Sequence, residues 1–415
     1  MDSLSAARAL ELDGGFVVAT GFECSAPTIH GRVRQDELRK TGHCERFAED
    51  YRMAASFGVR YVRFGVPFHV VARSDERREF DWDWTDRALD ALLAAGREPI
   101  LDLLHFGLPD DIGAVADPRL VRRYEAYVAE VAERYPWARY YTPVNEPLVT
   151  ALFSARYGMW NERRRDDRSL VAAIDRLATC VVRGMQLIRE RRPDAIFVHS
   201  DGCDSFQPAE PAAAGRAAFL NELRFVGWDL AFGRRPAAIV VDWLRANGMG
   251  EERLDWFAVH GSTAGGIVGH DYYRGNERLV LADGSVRQAG DRRHGYLALA
   301  RAYHARYGMP FMLSETNIAG QRAPSWLAEV WADALTLRAE GAPIRGFCWY
   351  GFVDHVDWDS GLRWNRSRVN RCGLVGLDRQ PHRVGLLYRG LAQAAATGAY
   401  ARLAVGPART LARAA

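Results

Sequence analysis

The sequence predicts a single (β/α)8 barrel, an α/β fold with loop insertions at the C-terminal face of its strands. Three observations carry this expectation. Apolar runs of strand length recur eight times, with amphipathic segments of helix length between them. The runs are continuously apolar rather than alternating, as parallel strands covered by helices must be. No GxGxxG or GxxxxGK[ST] follows any of them, which argues against an open, nucleotide-binding sheet.

The units follow in order. GFVVATGFECS (15–25) precedes a helical pattern at RFAEDYRMAASFG, and VRYVRFGV (59–66) precedes TDRALDALLAAG. EPILDLLHFG (98–107) leads to DPRLVRRYEAYVAEVAERY, where Asp117 and Pro118 supply a helix cap and a first-turn proline. RYYTPVNEP (139–147) precedes a long helix that ends near Arg192, and AIFVHSDG (195–202) precedes AGRAAFLNELRFVGWDLAFG. The sixth strand is expected at LDWFAVHGS (254–262), followed by a loop-rich insertion and RRHGYLALARAYHARYG. PFMLSETN (310–317) and IRGFCWYGFV (345–353) complete the set, each with a helix after it. No Pro/Gly/Ser-rich linker divides the chain, so residues 1–400 read as one domain and 401–415 as a peripheral tail.

Composition narrows the function classes. The 415 residues are 48% hydrophobic, enough for the core of one large barrel. A formal charge of +3 without a basic block leaves no electrostatic footprint for nucleic acid. Lys40 is the only lysine, so the basic side is almost entirely arginine. No apolar run is long enough to span a bilayer, and no signal-like segment opens the chain. Six scattered cysteines without a CxxC pair predict reduced thiols and a cytoplasmic setting. The oligomeric state is open.

In such barrels the site is built at the C-terminal strand ends. The polar residues there are Arg63 on strand 2, His105 on strand 3, Asn145 and Glu146 on strand 4, His260 on strand 6, and Glu315 on strand 7. Strand 8 carries Trp349, then Asp354, Asp357 and Trp358. Two carboxylates across one barrel mouth, with tryptophan platforms, suit glycoside cleavage: one carboxyl holds a proton for the leaving oxygen and one stays ionised.

These residues lie in motifs that resemble glycoside hydrolase family 1, the β-glucosidase family. TPVNEP is similar to the family's acid/base segment, FMLSETN to its nucleophile segment, and LLHFGLP, YVRFGVPF and CWYGFVDHVDWDSG to three further strand-end motifs. The resemblance implies Glu146 as proton donor, Glu315 as nucleophile with Arg63 as its partner, and Asn145 on the hydroxyl beside the anomeric centre. It places His105, Trp349, Asp357 and Trp358 at the sugar. It implies a retaining β-glycosidase acting on a small-molecule glycoside, with neither a cofactor nor a metal.

The pattern departs from the family on the sugar-binding wall. APTIHG puts Thr28 where the family has a glutamine, Asp357 replaces a glutamate, and Thr316 follows the nucleophile. His260-Gly261-Ser262 stands where the family has Asn-Tyr-Tyr. The alternatives are therefore a transglycosidase or tailoring enzyme on the same scaffold, or a sugar-binding pseudoenzyme. His43, Trp82 and Trp84 read as packing residues, and 161–168 as a solvated loop. His199 and Asp201 read equally as cavity-lining residues and as a satisfied buried pair. His260, His270 and Asp271 lack metal-ligand spacing.

Overall fold

The computed structural model describes residues 16–72 and 80–396. The 401–415 tail therefore lies outside the described residues. Eight parallel strands close into a barrel: β1 (Val17–Gly21), β2 (Tyr61–Gly65), β3 (Glu98–Asp102), β4 (Tyr140–Thr142), β5 (Ile196–Gly202), β6 (Gly266–Asp271), β7 (Phe311–Glu315) and β8 (Ile344–Tyr350). Each strand pairs with its sequence neighbours, and β1 closes on β8, Val17 opposite Gly346 and Gly21 opposite Tyr350.

One correction concerns the sixth strand. Residues 254–262 are not a strand; Glu251–His260 is a helix that buries Leu254 and Phe257. That i,i+3 pair is a helical face, and Val259 beside it is 76% exposed. Glu251 and Glu252 in its first turn favour a helix start. The true strand, GIVGHD, lies in the segment expected to be a loop insertion, because its glycines read as breakers. Gly269 is there for closeness: a Cβ would sit 2.7 Å from Ser314 Oγ and 3.0 Å from Ser200 Cα.

Side-chain parity divides the barrel into layers. Val17, Ala19, Tyr61, Ile100, Tyr140, Ile196, Val198, Ile267, Met312, Cys348 and Tyr350 form one apolar cluster inside it. Continuing each strand by two residues toward its C-terminal end keeps the inward direction and changes the chemistry. Tyr61 is followed by Arg63, Ile100 by Asp102, Val198 by Ser200, Ile267 by Gly269 and then Asp271, and Met312 by Ser314. All five polar residues named are at most 1% exposed. The opposite parity, with Phe347 and Trp349, packs outward in the much larger cluster between strands and helices.

Two additions cover the barrel mouth. A three-stranded sheet is formed by Ser205–Pro208, Glu277–Val280 and Val286–Gln288. The segment after β8 folds over the other side through a short ladder of His355–Val356 with Val369–Asn370.

Gly21 at the end of β1 matters to both fold and site, since a Cβ there would lie 2.2 Å from Tyr350 Cε2. Gly21→Ala is expected to cost about 1–3 kcal/mol as an overpacked position. It should also shift Tyr350, read as a lower urea midpoint together with an altered near-ultraviolet circular dichroism band.

Candidate active site

A cavity of about 730 Å3 opens at the C-terminal ends of the strands. Glu146 and Glu315 both line it, together with Glu23, His105, Tyr273 and His355. The small sheet bounds one side through Arg278 and Val286–Gln288, and Trp358 bounds the other.

Glu315 closes β7 and is 4% exposed. Its Oε1 accepts a hydrogen bond from Arg63 Nη1, and its Oε2 accepts one of 2.7 Å from the Tyr273 hydroxyl. Arg63, 1% exposed, also donates from Nη2 to Asp102 Oδ2 at 2.9 Å and to Asn145 Oδ1 at 2.6 Å. Its guanidinium lies 5.1 Å from the Tyr350 ring centroid. The carboxylate thus faces one cation and one phenol, the arrangement an anionic nucleophile requires.

Glu146 is set up in the opposite way. It follows β4 as the residue before Pro147, the first residue of the helix Pro147–Ala151. Its backbone is left-handed, φ 42°, and its N–H donates to Ser200 O at 2.8 Å. Burial pushes its carboxyl well above the usual carboxylate range, and Asp271 and Glu315 push in the same direction. It holds a proton where Glu315 holds a salt bridge. Asp271 beneath the pair is also raised, by burial and by Glu315, and accepts from the Ser200 and Ser314 hydroxyls at 2.7 Å.

The sequence-predicted residues divide as follows. Arg63, His105, Asn145, Glu146, Glu315 and Trp358 gather at this site. His105 Nδ1 donates to Asp102 Oδ2 at 2.9 Å, and Asn145 Nδ2 donates to His105 Nε2 at 3.1 Å. Because Asn145 Oδ1 already accepts from Arg63, its amide group faces the imidazole and makes the ring the acceptor.

Four predicted residues lie elsewhere. Thr28 does not line the cavity: it is half-buried, and its backbone pairs with Arg34 and Asn161. Glu23, 4% exposed, closes the first strand instead. His260 is exposed at the end of its helix, and the residue that reaches the nucleophile candidate after β6 is Tyr273. The Tyr272-Tyr273 pair at the end of GIVGHD was the available signal. Trp349 points out of the barrel and donates to Cys372 O at 3.0 Å; Tyr350 points in, stacked on His105 with centroids 5.9 Å apart and planes 8° apart. Asp357 serves as an anchor for its loop. It accepts from Lys40 Nζ at 2.8 Å and from the backbone N–H groups of Arg366, Ser367 and Arg368 at 3.1, 3.1 and 2.9 Å.

The remaining candidates are structural. His43 pairs with Asp50, which Arg379 holds with two 2.8 Å bonds. Trp82 stacks on Tyr127, and Trp84 donates to Cys44 O. Asp201, pushed up to about 7 by burial, accepts from the Leu148 and Gly202 N–H groups. Asp354 caps Gly373 and His382. Cys24, Asp102 and His105 each place one metal-type ligand atom within 4.8 Å of the others. Asp102 Oδ2 is engaged by Arg63 and His105, so the trio forms a hydrogen-bond network around a cation already present.

No helix among the described residues is long and apolar enough to cross a membrane. Residues 30–230 match the model of glycosyl hydrolase family 1. The chain is 32% identical over 111 residues to coniferin beta-glucosidase of Pinus contorta, covering 25% of this chain and 21% of that one. It is 33% identical over 122 residues to thermostable beta-glucosidase B of Thermobispora bispora, covering 28% and 26%. These alignments thus span about a quarter of each relative's length. Among solved structures, a family 1 β-glucosidase from Thermotoga maritima superposes with a TM-score of 0.75 at 17% identity, over 91% of this chain and 97% of that one. A beta-glucosidase from Thermotoga maritima in complex with azafagomine gives 0.75 at 18% identity, over 92% and 98%. The chain is thus similar to glycosyl hydrolase family 1 over residues 30–230, and it shares the barrel fold of that family's β-glucosidases over nine-tenths of its length.

Proposed function

We propose that the chain is a retaining β-glycosidase that cleaves a small-molecule glycoside. The observation that carries this reading is the asymmetry of the two carboxyl groups facing one cavity. Glu315 is paired with Arg63 and Tyr273, whereas Glu146 is raised by burial and by its acidic neighbours. In the first step Glu315 attacks the anomeric carbon, the glycosidic bond breaks, and the Glu146 proton goes to the leaving oxygen. In the second, Glu146 takes a proton from water, whose oxygen displaces Glu315. Arg63 and Tyr273 hold Glu315 in line, and His105 and Trp358 lie where a sugar ring would sit.

The cavity volume suits a glycoside of one or two rings. The six cysteines are free thiols, which supports a reducing compartment, and we place the protein in the cytoplasm. The described residues of 16–396 are taken as one catalytic domain.

Two predictions test the assignment. On a panel of aryl β-glycosides, Glu315→Gln should lower kcat by at least about 1,000-fold. Tyr273→Phe, which removes one donor to the same carboxylate, should cost about 10-fold to 100-fold. Turnover that survives Glu315→Gln unchanged would remove the nucleophile assignment.

The second prediction is a pH dependence. An acid with a raised pKa is competent below that pKa and loses its proton as pH rises through it. The kcat/KM profile should therefore keep full activity well above the pH at which an ordinary glutamate ionises, then fall on an alkaline limb. Glu146→Gln should abolish that limb and lower kcat for poor leaving groups by about 100-fold to 10,000-fold. An alkaline limb unchanged in Glu146→Gln would assign the proton to another group.

A further inference from the structure

The wall of the cavity beside Trp358 is formed by two residues that the proposed chemistry does not use. Glu23 lines the cavity at 4% exposure, and His355 lines it at the same exposure. Glu23 Oε1 accepts from the Ser25 N–H at 2.9 Å, while Oε2 lies 3.6 Å from His355 Nδ1. Among the described residues His355 is the only basic group within 4 Å of Glu23.

Three cations near this wall are occupied, and Arg287, which also lines the cavity, is exposed on the small sheet at the opposite side. Lys40, the only lysine in the chain, bonds to Asp357 at 2.8 Å and to Gln35. Arg63 lies under Glu315, and Arg278 pairs with Asp204 at 3.6 Å. His355 does not supply a charge: burial pulls its pKa down further than Glu23, Asp354 and Glu315 raise it. Behind the wall, Glu37 is pushed well up by burial and by Glu23, with Lys40 Nζ 3.6 Å from its Oε1. Three buried polar atoms on or beside the wall, Ser25 Oγ, His355 Nε2 and Trp358 Nε1, have no hydrogen-bond partner.

A carboxylate that lines a substrate cavity without a protein cation is costly unless the ligand supplies the counter-charge. A sugar hydroxyl donates one hydrogen bond and leaves the negative charge in place. An ammonium donates three and neutralises it. We propose that the glycone is an amino sugar, its protonated amine held by Glu23, and that Glu23 sets this preference. The proposal rests on the β-glycosidase reading for the role of the cavity.

The test compares aryl β-glycosides whose glycones carry an equatorial amine at one ring position with their neutral hydroxyl parents. The quantity read is the ratio of kcat/KM, amino over neutral, in the wild type and in Glu23→Gln. The proposal expects one amino glycone favoured by about 10-fold to 100-fold, and the ratio falling to about one or below in Glu23→Gln. A neutral preference in the wild type, or a variant that lowers both substrates equally, would overturn it. Calorimetric titration with the matching methyl β-glycosides repeats the comparison without turnover. Selective, Glu23-dependent affinity for the amine alongside silence on every aryl glycoside would sustain the inference and remove the hydrolase reading alone. Equal affinities would remove the inference alone.

Discussion

A single buried guanidinium organises the floor of this site. Arg63 is carried inward by the parity of β2 and reaches Glu315, Asp102 and Asn145 with two nitrogens, while its face covers Tyr350. An arginine at 1% exposure exists only because carboxylates balance its charge, and they tolerate burial only because it is there. One cation balances few anions. Four further acidic groups, Glu146, Asp271, Asp201 and Glu37, are all raised, with burial the leading cause. The contrast between Glu146, raised by burial, and Glu315, paired with Arg63, is therefore set by where the cation of this layer sits.

The layer also explains the hydrogen-bond directions around it. Arg63 fixes the orientation of the Asn145 amide, the amide makes His105 Nε2 an acceptor, and Asp102 takes the opposite ring proton. Tyr350 lies under both Arg63 and His105, and Gly21 leaves the space that its ring fills. The site is thus assembled at the ends of all eight strands, β5 and β6 contributing Ser200, Asp271 and, just beyond β6, Tyr273.

Much of this was legible in the sequence, and the failures share a physical origin. Strand count, seven of the eight strands and the strand-end positions of both carboxylates follow from apolar runs closed by polar residues, because barrel strands buried on both faces have no other way to look. Trp349 against Tyr350 turned on parity: adjacent residues face opposite sides, and the larger ring drew attention although the smaller one points into the barrel, against His105 and Arg63. Glu23 obeyed the same strand-end rule that found Arg63 and Glu146, yet the motif resemblance pointed to Thr28, five residues on. The sixth strand was hidden by its own packing demand, since Gly269 must be small to let β5 and β7 approach, and glycine reads as a loop. The anchoring role of Asp357 depends on Lys40, 317 positions away, a pairing that only the fold reveals.

The left-handed backbone of Glu146 has a consequence for how such a chain ages. A side chain with a Cβ is strained at φ 42°, and a glycine there would relax it. Drift without a use for the carboxyl would thus descend a thermodynamic slope, gaining foldedness as it discarded the acid. A glutamate at this position keeps the chain uphill of its easiest sequence, and something other than stability must hold it there.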